Sequence, residues 1–103
     1  MANIETIGRA IAEALRNIGL TNEVAIAEIV TASIETYGEL GLGAIVDPEA
    51  DTMARYMAWF RVEKALIAGR NVNAIRHNGT KWATVDGRVE FDNMGLVELA
   101  FRE

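Results

Sequence analysis

Chemistry in a protein needs nucleophiles, metal ligands or converging acids at workable spacing, and this chain of 103 residues offers few of them. It has no cysteine, so thiolate catalysis, disulfides and cysteine zinc sites are all excluded. Its single serine, Ser33, falls inside an amphipathic stretch, and its single histidine, His77, sits beside Asn78-Gly79. A serine–histidine–carboxylate arrangement would require a helix interior to meet the tip of a hairpin. One histidine without cysteine also excludes the usual zinc ligand sets. Asp47, Glu49 and Asp51 cluster, but they lack the twelve-residue calcium-loop pattern with its central glycine. A helix-capping role accounts for them. The glycines of GELGLG (38–43) match neither GxGxxG nor a phosphate loop ending in lysine and serine or threonine. Nothing in the spacing selects a catalytic pair from the 15 acids. The expectation is a protein with no catalytic, cofactor-binding or metal site.

Charge is the next chemical signal. The formal net charge is −5, which disfavours bulk binding to nucleic acid. Its distribution is uneven: residues 1–46 carry a net −4, whereas residues 70–88 carry Arg70, Arg76, Lys81 and Arg88 against Asp86, a net +3. An acidic helical part and a basic part could meet in head-to-tail copies, or the asymmetry could be ordinary surface scatter. Three helices followed by a hairpin is also the outline of a winged helix, in which Arg76, Lys81 and Arg88 would reach phosphates. Against this, the third helix mixes Arg55, Arg61 and Lys64 with Asp51, Glu63 and apolar residues.

The elements that would position these groups follow from the apolar pattern. Ile4, Ile7, Ile11, Leu15 and Ile18 form one stripe of a helix over residues 3–18, with Gly19 as its left-handed stop. Thr21 or Asn22 caps a second helix whose stripe is Ile26, Ile29, Val30, Ile34 and Tyr37, ended by Gly38. So short a link predicts antiparallel packing of the two. Residues 38–46 form a glycine-punctuated apolar connection. Asp47-Pro48-Glu49 then predicts the start of a third helix that runs to about Ala68, with Gly69 as its stop. This helix is apolar on two faces: Met53, Tyr56, Met57, Phe60 and Ile67 on one, Ala58, Trp59, Val62 and Leu66 on the other. Such a helix is central in a bundle or covers the core on one side and a neighbouring subunit on the other. Trp59 belongs to the core or to that interface.

Beyond Gly69, segments 72–77 and 81–85 flank Asn78-Gly79, the favoured type I′ turn. Asp86-Gly87 offers a second turn before residues 88–91, and Asp92 or Asn93 caps a short last helix. The predicted fold class is mainly α: a three-helix bundle with a long third helix, a C-terminal β-hairpin or small meander and a short final helix. Residues 1–103 form one domain, divided into a helical hairpin (1–37), the long central helix (47–69), the hairpin (72–91) and the C-terminal helix (92–103). No run approaches the roughly 18 apolar residues of a membrane span, and acids near the N-terminus argue against a targeting peptide. Hydrophobic residues make up 50% and nine glycines come in addition, above the roughly 45–50% that both classes together reach in an average soluble domain. A small domain with surplus apolar residues tends to place some of them against a partner, so self-association is expected.

The second half carries a recurring pattern: DPEADTMARYMAWFRVEKALIAG, then WATVDGRVEFDN, then MGLVELAFRE. A proline-capped helix rich in aromatics and alanine leads to a short glycine-containing loop or hairpin, an aromatic residue and a final apolar helix. Over residues 47–103 this resembles the small head-completion or adaptor proteins (head-tail connectors) of the neck of tailed bacteriophages. The resemblance implies a structural virion protein without enzymatic activity, assembled in the host cytoplasm. It implies a homo-oligomeric ring below the portal, contacts with portal and other neck or tail proteins, and DNA passing through the channel without specific binding. A cofactor and a membrane have no part in it. The interface candidates are Trp59, Phe60, Val62, Leu66, Arg70, Arg76, Lys81, Trp82, Arg88 and Phe91. The competing reading is a small regulatory or nucleic-acid-binding module of winged-helix type.

Overall fold

The computed structural model describes residues 3–68, 75–77, 82–84 and 90–91, with side chains through residue 65. The described part is mainly helical. Helix α1 (Ile4–Asn17) starts at Asn3, whose Oδ1 accepts from the Thr6 amide at 2.8 Å and satisfies one of the unpaired first-turn donors. It ends on Gly19 at φ 104°. The Gly19 amide donates to the Arg16 carbonyl and the Leu20 amide to the Leu15 carbonyl, the paired bonds of a Schellman cap. Leu20 and Leu15 are both buried, which anchors the cap in the core.

Helix α2 (Glu23–Leu42) starts at Asn22, whose Oδ1 accepts from the amides of Val24 and Ala25. Asn22, rather than Thr21, therefore makes the cap. Gly8 of α1 lies against Val30 and Ile34, and Arg16 lies against Glu23, so the two helices run antiparallel. A Cβ on Gly8 would come 3.2 Å from Val30 Cγ1, which marks a close approach of the two helices. The expected end of α2 at Gly38 is half right. Gly38 breaks the helical path at φ 63°, ψ −170°, a region essentially reserved for glycine. The chain then resumes helical turns through Leu42 and a 3-10 turn at Gly43–Ile45, so the expected connection from 38 is largely helical. Two contacts hold this extension: Leu42 is fully buried, and Arg61 Nη1 donates to the Gly41 carbonyl at 2.9 Å. Gly41 belongs to the last turn of α2, whose carbonyls lack intrahelical partners.

Helix α3 (Thr52–Ala68) begins later than expected from Asp47. Asp47, Pro48, Glu49 and Ala50 close a turn instead, with the Ala50 amide donating to the Asp47 carbonyl at 3.2 Å. Asp47 Oδ1 accepts from the Glu49 amide. Proline at the second position suits such a turn as well as it suits a first helical residue. Arg55 decides between them: its Nη2 donates to the carbonyls of Asp47 and Pro48 and folds the turn back onto α3. The cap passes to Asp51, whose Oδ1 accepts from the Ala54 amide at 2.7 Å.

α2 packs against both α1 and α3. Ile7, Ile11, Leu15, Ile26, Ile29, Leu42, Trp59 and Val62 fill the core, and burying each such side chain contributes about 1.5–3 kcal/mol. Ile4, expected in the α1 stripe, is instead about half exposed at the first turn. Strand segments β1 (Ile75–His77), β2 (Trp82–Thr84) and β3 (Glu90–Phe91) pair antiparallel in that order, with Trp82 opposite both His77 and Phe91. The expected Asn78-Gly79 turn, Gly69 stop and final helix lie outside the described residues.

Candidate functional site

Ser33 is fully buried, and its hydroxyl donates to the Ile29 carbonyl one turn back at 2.8 Å. It is a core residue with a satisfied hydroxyl. No group of three or more metal-ligating side chains converges among the described residues. The acids near the third helix have local tasks: Asp47 holds the turn and Asp51 the cap. They border an open hollow, lined also by Glu39, Leu40, Val46 and Glu49. Among the described residues no helix is long and apolar enough to cross a membrane.

The two apolar faces of α3 have separate fates. Ala58, Trp59 and Val62 point into the core, with Trp59 at 7% exposure and Val62 at 0%. Trp59 and Val62, both interface candidates from the sequence, are thus core residues of the single chain. The physical reason is their position: they fall on the side of α3 that meets α2, where large apolar groups gain most from burial. Glu63, which the sequence places among the wet charges of α3, is also buried, and it has an interaction partner. A single acid embedded in an apolar face carries no sequence signal for that placement.

The opposite face is divided: Tyr56 and Phe60 pack partly against the core, and Met53 and Met57 stay at the surface. Met53 is 67% exposed and Met57 40%. They lie one turn apart, and Phe60 follows three residues later, half-buried, with its ring edge-on to Tyr56 at 6.3 Å. Lys64 Nζ stands 5.8 Å from the Phe60 ring centroid, within cation–π reach. Leu40, fully exposed on the extension of α2, is a further large apolar side chain left in water. Met57 and Leu40 are therefore surface apolar residues that the sequence did not single out as interface candidates. The side chains of the remaining candidates, Leu66, Arg70, Arg76, Lys81, Trp82, Arg88 and Phe91, lie outside the described residues.

The cations of α3 are engaged by the fold. Arg55 binds the carbonyls of the 47–50 turn, Arg61 binds Gly41, and Lys64 sits over Phe60. A recognition helix needs its cations directed at phosphates and bases, and these three are directed inward or along the helix. No family model, no curated protein and no solved structure matches the chain.

A second surface feature is lined by residues of α1 and α2 alone. α1 and α2 border an open groove whose floor includes Gly8, Ala12, Ala27 and Val30. Its α1 rim carries Glu5, Arg9, Glu13 and Arg16. At one end, Arg16 Nε and Nη2 donate to the two carboxylate oxygens of Glu23, at 3.0 and 2.6 Å. The bond from Arg16 holds the Glu23 carboxyl below the usual glutamate range, and the same pairing raises Arg16 further above its ordinary value.

Proposed function

We propose that this protein is a structural assembly component without enzymatic activity, whose task is to bind copies of itself and larger partners. The observation that carries this reading is the outer face of α3, where Met53 and Met57 stand in water beside a half-buried Phe60. Methionine-rich helix faces are adaptable contact surfaces, and in a domain this small they have no core left to join. The two-faced third helix expected from the sequence is consistent with core packing on one side and a subunit contact on the other.

The specific place we propose is the neck of a tailed bacteriophage, as a head-completion adaptor that assembles as a ring below the portal and links head to tail. The basis is the resemblance over residues 47–103. Contacts between unlike faces of identical copies close into a ring when the rotation permits, and the −4 and +3 segments of the chain supply charges for such contacts. In this reading the three strand segments form a hairpin or small meander, followed by a short terminal helix. DNA passes the ring without specific binding. The intramolecular contacts of Arg55, Arg61 and Lys64 weigh against the winged-helix alternative.

Mass in solution over a range of concentrations, alone and with duplex DNA, tests the reading. Concentration-dependent assembly indifferent to DNA is the expected result. A monomer that shifts only with duplex, in a salt-sensitive manner, would overturn it in favour of the binding module.

A further inference from the structure

We infer that the groove between α1 and α2 is a docking site for α1 of a second copy of this chain, laid antiparallel across a two-fold axis. The inference is independent of the neck reading, because the groove is lined by residues of α1 and α2 and by none of α3. It rests on the order of charges along one rim. From N- to C-terminus the rim of α1 carries Glu5, Arg9, Glu13 and Arg16, all lining the groove, so the signs alternate at successive turns of the helix. A second α1 laid parallel in register would set like charge against like. Laid antiparallel, Glu5 meets Arg16 of the other copy and Arg9 meets its Glu13, and the two-fold axis repeats both pairs. The two pairings imply centres of symmetry that differ by half a residue, under 1 Å at a rise of about 1.5 Å per residue. Arginine and glutamate side chains absorb that offset without strain.

The floor and the existing ion pairs allow this occupant. Ala12 and Ala27 are small, so a helix can approach closely and pack apolar atoms there, whereas the space at Gly8 is taken by Val30 and Ile34 of α2. With charges of both signs on the rim, a polyanion such as DNA meets Glu5 and Glu13 unfavourably, and a polycation meets the two arginines. Arg9 and Glu5 face each other only at 4.0 Å and are 73% and 82% exposed, so both can turn to new partners. Arg16 uses two donors on Glu23, and a guanidinium has five, which leaves donors for Glu5 of the other copy. As at coiled-coil flanks, the charges set orientation and partner choice, while the floor supplies contact.

Sedimentation or light scattering on the full chain tests this with two charge reversals, Arg9→Glu and Glu13→Arg. Both positions are exposed, and circular dichroism checks that the helices persist. The unmodified chain is expected to dimerise with an affinity that falls as salt rises. Each reversal alone sets like charges together twice per dimer and is expected to weaken self-association at least tenfold. An equimolar mixture of the two variants restores both pairs and is expected to give a heterodimer near the original affinity. Neither an unmodified chain that stays monomeric, nor folded variants that dimerise as before, nor a mixture that fails to recover is compatible with the inference. Charges serving only as an intrahelical ladder would give no recovery on mixing. Higher assembly through α3 is read separately, since substitutions at Met53 or Met57 leave this groove intact.

Discussion

Gly38 separates backbone strain from steric crowding cleanly. Its φ of 63° with ψ −170° is open to glycine and almost closed to other residues, yet a Cβ there would meet nothing within 4 Å. Any cost of Gly38→Ala is therefore conformational, and a loss of about 1–3 kcal/mol is expected. Urea unfolding measures it, and a neutral result would show that the break in α2 relaxes without glycine. Gly41 has the opposite character. It has an ordinary backbone, but a Cβ would sit 2.9 Å from Tyr37 Cβ, so its constraint is steric. The sequence showed only the shared fact of a glycine at each position. Neither the sign of φ nor the neighbour could be read from it, because both depend on where the chain goes after Tyr37.

At the scale of elements, what the sequence conveyed depended on how local the deciding interaction was. The α1 stop at Gly19 and the apolar stripe Ile7, Ile11 and Leu15 are set within one or two turns, and the pattern exposed them. The start of α3 is not so local. Asp47-Pro48-Glu49 and Asp51 are both plausible caps, and the choice is made by Arg55, eight residues beyond Asp47. Asp51→Ala is accordingly expected to cost about 0.5–2 kcal/mol. Asp47→Ala should cost less, because its carboxylate serves only a surface turn. Equal costs in chemical denaturation would place the functional cap back at Asp47. The candidate site was legible in outline, as a helix apolar on two faces, but not in its assignment. Nothing in the periodicity says which face meets α2, so Trp59 and Val62 went to the core and Met53 and Met57 to solvent.

The junction of α1 and α2 adds a pH dependence. Glu23 has a folded-state pKa below its ordinary value because Arg16 bonds its ionised form. A depressed acid stabilises the fold above its unfolded-state pKa, and that stability is lost as pH falls through the folded-state value. The window therefore lies at and below the ordinary glutamate range, near 4.5. Arg16 is pushed further above its ordinary value by the same carboxylate and is protonated on both sides of that window. Glu23→Gln should lower the urea midpoint at pH 7, and the gap from the unmodified chain should close toward pH 3. A gap that persists unchanged at pH 3 would assign the effect to packing instead of charge. Both side chains are solvent-exposed, so the difference should also shrink in high salt.

For the whole molecule, the central question is whether the outer face of α3 is a contact surface or surplus apolar area, and substitutions on the two faces can answer it. Trp59 is in the core, and truncating such a residue costs about 3–5 kcal/mol, a large part of the 5–15 kcal/mol that holds a typical domain together. Loss of assembly in a Trp59 variant would therefore report unfolding and say nothing about contact. Met57 is different. It is 40% exposed on a helix, where glutamate is nearly as good a helix former as methionine, so Met57→Glu should change stability by less than about 1 kcal/mol, within the range of ordinary surface changes. If α3 is the contact surface, the same substitution places a charge where a neighbour must exclude water, and assembly above the dimer should disappear while the melting temperature holds. Native mass spectrometry beside a thermal melt reads both quantities on one sample. Assembly that survives Met57→Glu and Met53→Glu in folded protein would remove the α3 face from the interface. The proposed structural role would then have to rest on another surface.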